Sequence, residues 1–478
     1  MTIPANLGKF YIDGAWVDPL PGATLFPVEN PATEEIVGEI PLASEADVDR
    51  AVAAARAAFD GWTVTPLQDR IALVQRILDI YNSRAEEMAQ AMSTEMGAPI
   101  TWSREAQFWA GQVHLESTIK AAQEMEWEYM RGDTRIVLEG IGVCALITPW
   151  NWPMNQIVCK VAPALVAGCT MVLKPSEIAP LSGLIFAQIC HEAGVPKGVF
   201  NMVNGAGPVA GARMSSHREV DMVSFTGSTR AGTAIAAAAA PTVKRVAQEL
   251  GGKSPNIILP TADLAAAVKG GVEGCFGNTG QSCDAPTRMF VPRASHDQAL
   301  VFAREAAEAV VVGDPADEGT TMGPLVSKLQ WDKVQRLIQA GIDEGCTLVC
   351  GGTGRPSGLN HGWFVKPTIF GNVTNDNIIA REEIFGPVLA IIPYDSLDQA
   401  VKEANDTPYG LAAYIAGPVE DAKPVARRLR AGTVNLNYPA WDTFAPFGGY
   451  KQSGNGREYA DWGIHDFCEV KGIVGWGA

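Results

Sequence analysis

In the segment GNTGQSCDAP, residues 277–286, a thiol sits in polar company. Cys283 is surrounded by Gly277, Asn278, Gly280, Gln281, Ser282 and Asp284, whereas cysteine is among the most often buried residues and usually has apolar neighbours. A thiol works as a nucleophile when it can be reached and when donors stand ready for the oxyanion its attack creates. Small polar neighbours permit both, and the Cys283 backbone amide is itself a candidate donor. On this segment alone, an incidental cysteine in a turn is also open.

Three other segments could share that chemistry. TPWNWPM (148–154) directly follows the apolar run IGVCALI, and ligands bind at the C-terminal ends of strands in parallel α/β sheets. The Asn151 side-chain amide could bind an oxyanion, with Trp150 and Trp152 excluding water; a stiff aromatic turn is the alternative. In QELGGKSP (248–255), Glu249 precedes a glycine pair that lets backbone approach closely. A carboxylate beside a thioester could draw a proton from water as a general base, although glutamate before two glycines is also a common helix end. In FTGSTRAG (225–232), Gly227 and Ser228 would open a helix, whose free amides and dipole favour an anion. Lys174, Pro175 and Glu177 end the neighbouring strand and complete what reads as a dinucleotide crevice, with a carboxylate for a ribose diol. GAGPVAG (205–211) has one residue too many for G-x-G-x-x-G, so that match is weak.

The elements that must position these residues are legible from periodicity. Residues 45–60 have helical spacing behind Ser44, a candidate N-cap. The pattern predicts a long helix over 67–96 ending at Gly97, and another over 101–124. From about 140 to 250, strands alternate with helices of 10–15 residues, the pattern of a right-handed parallel α/β sheet. A second α/β series begins near 253, with SPNIILP and TRMFVP as strands. AIAAAAA (234–240) reads as a closely packed helix stopped by Pro241.

Composition excludes several classes. The 478 residues predict two or three domains, and 47% hydrophobic with 19% charged residues is ordinary globular composition. A net charge of −16 repels phosphate backbones and anionic membranes, so neither nucleic acid nor membrane is an expected partner. The N-terminus does not read as a signal peptide, and no apolar run approaches the roughly 18 residues of a membrane helix. Nine cysteines without C-x-x-C argue against a disulfide framework and for a cytoplasmic location. Six isolated histidines suggest no metal site.

Taken in order, PWNWP, KPSE, FTGSTRAG, ELGGKSP, GQSC, EEIFGPV (382–388), NDTPYGL (405–411) and PFGGYKQSGNGRE (446–458) resemble the NAD(P)-dependent aldehyde dehydrogenase superfamily, and the resemblance covers almost the whole chain. It implies that Cys283 is the nucleophile, Glu249 the general base, and Asn151 with the Cys283 amide the oxyanion hole. Lys160 and Glu458 match positions near a proton path, where either could be only a salt-bridge partner. Lys174 and Glu177 would bind a ribose, Gly227 and Ser228 the pyrophosphate, and Glu383 and Phe385 the nicotinamide ribose and ring. Thr148, Pro149, Trp150, Ser176, Gly207 and Gly211 are further expected cofactor contacts. So are Phe225, Thr226, Leu250 and Gly251.

The reaction implied is oxidation of an aldehyde to a carboxylic acid through a thiohemiacetal and a thioester. Members that transfer the acyl group to coenzyme A typically lack a glutamate at the Glu249 position, which favours hydrolysis here. A cofactor-independent thiol esterase and a non-catalytic scaffold are the other readings. Glu177 favours NAD, with NADP possible. The expected substrate pocket has Trp152, Trp441, Phe444 and Phe447 at its rim and Asn155, Gln156 and Cys159 inside, with Ser282 and Asp284 flanking the nucleophile. Such a pocket predicts medium, long or aromatic aldehydes. Asp284 is expected to point away from the thiol, whose pKa it would otherwise raise.

The expected architecture is a Rossmann-like cofactor domain (1–120 and 141–250), an α/β catalytic domain (251–445) and a small β bridging domain (121–140 and 446–478). The tail EVKGIVGWGA is apolar and β-rich. An apolar edge strand is a liability unless paired, so a homodimer or homotetramer is expected.

Overall fold

The computed structural model describes residues 4–477. An eight-stranded sheet is built around five parallel strands: Arg245–Glu249, Met222–Thr226, Val143–Ile147, Thr170–Lys174 and Phe200–Met202 in spatial order. The inner strands Val143–Ile147, Thr170–Lys174 and Met222–Thr226 are buried along their whole length, as expected of strands covered by helices on both faces. Register aligns their ends. Ile147 lies opposite Lys174 and Phe225, and Thr226 lies opposite Glu249. The segments at 148–154, 174–177, 226–228 and 249–251 therefore leave the sheet at one edge.

A seven-stranded sheet forms the second unit, with Pro255–Ile258, Arg288–Pro292 and Val388–Tyr394 side by side and parallel. Arg288, fully buried, ties this sheet to its surroundings. Its guanidinium donates to the carbonyls of Lys253, Glu403 and Ala404 and to Asn375 Oδ1 at 2.8–3.1 Å. The Cys283 turn and the Glu383–Phe385 segment both lie just before neighbouring strands of this sheet.

A three-stranded antiparallel sheet combines Glu128–Arg131, Thr134–Gly140 and the C-terminal Cys468–Ile473. The last strand is an edge, and Val470, Val474 and Trp476 near it are exposed. The tail also contributes Gly454–Asn455, which pairs with Gln248 and Glu249 at the edge of the first sheet. Only glycine fits at 454: its φ is +115°, and a Cβ there would lie 1.9 Å from the Gln248 carbonyl oxygen.

The helix behind Ser44 forms as expected, as Glu45–Thr63 with a reciprocal Ser44–Asp47 capping box. Three expectations need correction. The long helix over 67–96 is two helices, Leu67–Ser83 and Ala85–Met96, broken at Arg84, which leaves helical geometry and ion-pairs with Glu87 and Glu192. Gly97 ends the second with φ +76°. The helix over 101–124 contains a π-helical stretch, Ser103–Phe108, whose Gln107 donates to the Asn151 carbonyl and to Asn278 Oδ1. The alanine-rich helix Thr229–Ala239 is not closely packed all round, because only Gly232, Ile235 and Ala239 are buried. Among the described residues no helix is long and apolar enough to cross a membrane.

Candidate active site

Two cavities meet at Cys283. One, of about 680 Å3, runs between the Trp152 helix, the Cys283 turn and the 433–447 loop. The other, of about 210 Å3, lies along the parallel-strand ends at Trp150, Gly227 and Gly251 and reaches Glu383 and Phe385. Among the described residues, Cys283 alone lines both.

The turn that presents the sulfur is strained. Asn278, Thr279 and Gly280 have φ of +53°, +58° and +69°, and a β-branched residue there is an outlier that costs on the order of 1–3 kcal/mol. A Cβ at Gly280 would lie 2.3 Å from the Gly386 carbonyl, so the turn also depends on close backbone packing. Side-chain amides hold it in place. Asn151 Nδ2 donates to the Gln281 carbonyl at 2.9 Å, and Asn278 Nδ2 and Gln107 Nε2 donate to the Asn151 carbonyl at 2.8 and 3.1 Å. One Asn151 N–H is occupied this way, and its second proton is free for an oxyanion. Trp152 Nε1 donates to Ser282 Oγ at 2.8 Å.

Behind the thiol lies a buried acidic group with its counter-ion. Lys160, fully buried, forms an ion pair with Glu458 and donates to Thr226 Oγ1 at 2.8 Å. Glu249 is buried and neither of its carboxyl oxygens has a partner. Burial, then the Glu458 charge, pushes its pKa well above the carboxylate range, against the pull of Lys160 and Arg457. Burial also pushes the Cys283 thiol well up, and the charges of Asp284, Glu249 and Glu383 add to this. A positive charge brought near the two groups would favour their ionised forms.

The smaller cleft combines a helix N-terminus with glycines that allow close backbone approach. Ser228 caps the helix Thr229–Ala239 by accepting from Ala231 N at 3.3 Å, which leaves the first-turn amides facing the cleft. Gly251 makes room: a Cβ there would meet Glu383 Oε2 at 2.6 Å. Glu383 Oε1 in turn accepts from Gly252 N at 2.9 Å. Phe385, at φ +61°, packs edge-on against Trp150. Pro149, Trp150, Thr226, Gly227, Ser228 and Leu250 line this cleft as predicted. Thr148, Lys174, Ser176, Glu177 and Phe225 lie outside its lining. The Lys174 ammonium is held by the Pro175 and Gly205 carbonyls and by Glu177. Gly207 and Gly211 also lie outside it, in a π-helical turn where Gly207 is exposed and Gly211 buried.

In the larger cavity Trp152, Asn155, Gln156, Ser282, Trp441 and Phe447 line the wall as predicted. Three predictions fail. Asp284 does not point away: it lines the cavity, 3.5 Å from the Tyr414 hydroxyl. Phe444 turns outward, and the Lys120 ammonium lies 5.1 Å from its ring centre. Cys159 sits behind the cavity, with its thiol 3.3 Å from Glu458 Oε2.

The sequence reading missed Gln330 and Lys333 in the smaller cleft, and Trp102, Tyr414, Tyr438 and Tyr459 in the larger one. Gln330 Nε2 donates to the Phe385 carbonyl at 2.7 Å, so helix Lys328–Asp343 positions the ring site. Nothing local in that helix marks the role. Tyr459 directly follows Glu458 in the tail segment, and that adjacency was the available signal.

The aldehyde dehydrogenase family model matches residues 16–473. A 3-succinoylsemialdehyde-pyridine dehydrogenase from a Pseudomonas species is 54% identical over 98% of both chains. The crystal structure of aldehyde dehydrogenase C from Pseudomonas syringae, a cysteine-to-alanine mutant with NAD+ and octanal, is 53% identical and superposes with a TM-score of 0.98 over 99% of this chain and 98% of that one. An aldehyde dehydrogenase from Bartonella henselae is 48% identical, with a TM-score of 0.96 over 98% and 99% of the two chains. The chain belongs to the aldehyde dehydrogenase family. The activity that goes with that membership is NAD-dependent oxidation of an aldehyde to a carboxylic acid.

Proposed function

We propose that Cys283 carries this oxidation as a covalent nucleophile, with the aldehyde in the larger cavity and NAD in the smaller cleft. The observation that carries the reading is the position of Cys283 as the single described residue common to both. Once ionised, with its proton lost to solvent, the Cys283 thiolate bonds to the carbonyl carbon, the C=O π bond opens, and the carbonyl oxygen becomes an alkoxide. The free Asn151 N–H and the Cys283 amide stabilise that charge where it develops. NAD, when bound, supplies the hydride acceptor and a fixed positive charge. Cys283 is left holding the acyl group as a thioester. Glu249 takes a proton from water, the oxygen attacks the thioester, and the C–S bond breaks to release the acid. Lys160 and Glu458 hold charge beside Glu249, which supports a role in passing that proton outward.

The cavity's size and aromatic walls support medium, long or aromatic aldehydes. The octanal complex of the Pseudomonas syringae enzyme and the pyridine-bearing substrate in the name of the Pseudomonas relative agree with this. Glu177 near the expected ribose favours NAD over NADP. Glu249 favours water over coenzyme A as acyl acceptor. The eight-, seven- and three-stranded sheets support a division into cofactor, catalytic and bridging units, with Gly454–Asn455 of the tail pairing in the first of them. The exposed apolar edge at Val470 supports pairing between subunits, and the need to keep Cys283 reduced supports a cytoplasmic location.

The test is turnover of a set of aldehydes with NAD, beside trapping of the acyl-enzyme. Wild-type protein quenched in mid-reaction is expected to gain the acyl mass on Cys283, and Cys283→Ala to form no acid. Undiminished turnover by Cys283→Ala would refute the proposal.

A further inference from the structure

We propose that Asp284 makes the larger cavity a selector of charge, so that aldehydes bearing a positive group are oxidised in preference to matched aldehydes bearing a negative one. The inference rests on the reading of that cavity as the aldehyde site. Three carboxylates line it, Asp284, Glu273 and Asp442, and among the described residues no lysine or arginine does. The two outer ones are partly engaged. Glu273 has Lys269 at 3.8 Å, and Asp442 accepts from the Phe444 amide at 3.0 Å. Asp284, next in chain to the nucleophile, has no ion-pair partner among the described residues; its neighbour is the Tyr414 hydroxyl.

Tyr414 and Tyr438 stack at 6.4 Å in the same wall, and Trp152 and Trp441 meet edge-on at 5.9 Å. Aromatic faces beside a carboxylate suit a cation further. A substrate carboxylate would meet Asp284 and no counter-charge in this lining, and a buried uncompensated pair of like charges is disfavoured.

The experiment uses three aldehydes of equal length that end in a trimethylammonium, a tert-butyl and a carboxylate group. Steady-state kcat/KM is measured for each with saturating NAD in wild-type enzyme, Asp284→Asn and Asp284→Glu. In wild type, the cationic aldehyde is expected to exceed the anionic one on the order of tenfold or more, with the neutral one between. Asp284→Asn should narrow that spread several-fold, and Asp284→Glu should keep the order. An anionic aldehyde at parity with the cationic one in wild type overturns the proposal, whether or not either variant folds. So does a spread unchanged in folded Asp284→Asn. The neutral aldehyde reports separately on the dehydrogenase reading: if it and the other two all fail to reduce NAD, that reading falls, not the charge selection alone.

Discussion

Lys160 offers the most direct test of how the buried charges control hydrolysis. Replacing it by methionine fills similar volume but removes the cation paired with Glu458, and with it the hydrogen bond to Thr226. Glu249 and Glu458 would then be left with only the weaker pull of Arg457 on Glu249. Lys160 pulls the Glu249 pKa down, whereas Glu458 pushes it up. At an effective dielectric of about 20, a neighbouring unit charge is worth on the order of 2 kcal/mol, and losing that attraction raises the Glu249 pKa further. The sign follows directly. Glu249 is a weak acid with an already raised pKa, and it must lose its proton to act as a base. Raising that pKa further lowers the ionised fraction at every pH below it. Deacylation at neutral pH should therefore slow about 10- to 50-fold in Lys160→Met, and the rising limb of its pH profile should move to higher pH.

Stopped-flow absorbance at the reduced-nicotinamide band separates the steps. Lys160→Met is expected to show a burst approaching one equivalent per site, followed by a slow steady state that recovers at alkaline pH. The double variant Lys160→Met/Glu458→Gln removes the unpaired carboxylate too, and should return the limb towards its wild-type position. The reasoning is refuted if the single variant slows without a burst and without movement of the pH profile. It is equally refuted if the double variant shifts the profile as far as the single one does.

Asn151→Ala should lower kcat/KM by about 10²–10³, the usual cost of one oxyanion donor, while the rate of Cys283 alkylation in cofactor-free enzyme changes little. That alkylation should itself accelerate as pH rises through the raised thiol pKa, and in Asp284→Asn the curve should move to lower pH, because the Asp284 charge helps hold the thiol protonated. An unmoved alkylation curve in Asp284→Asn would contradict the wall position of that carboxylate. Gly251→Ala should weaken NAD binding measured by calorimetry at least tenfold, since the added methyl group would meet Glu383 at 2.6 Å.

What could be read from the sequence was local chemistry and periodicity. Cys283 among small polar residues, Asn151 between two tryptophans, Glu249 before two glycines and Ser228 opening a helix each announce a capability through residue type and spacing. The alternation of strands and helices between 140 and 250 implies a parallel sheet, and a parallel sheet implies that the segments after its strands share an edge. The structure places Asn151, Thr226 and Glu249 there because strand register aligns Ile147 with Phe225 and Thr226 with Glu249.

Tertiary packing decided everything that depends on direction. Whether Asp284 faces the cavity or solvent turns on the path of three residues at positive φ, and on Tyr414, a residue 130 positions away in sequence. Cys159 lies on the predicted helix yet faces Glu458, because the tail strand Gly454–Asn455 brings that carboxylate over the sheet edge. Phe444 leaves the pocket for Lys120 on a distant helix. Tyr438, Gln330 and Lys333 carry no local mark at all. A side chain's identity states what it can do, but the partner it meets is set by which elements pack together, and those elements are far apart along the chain.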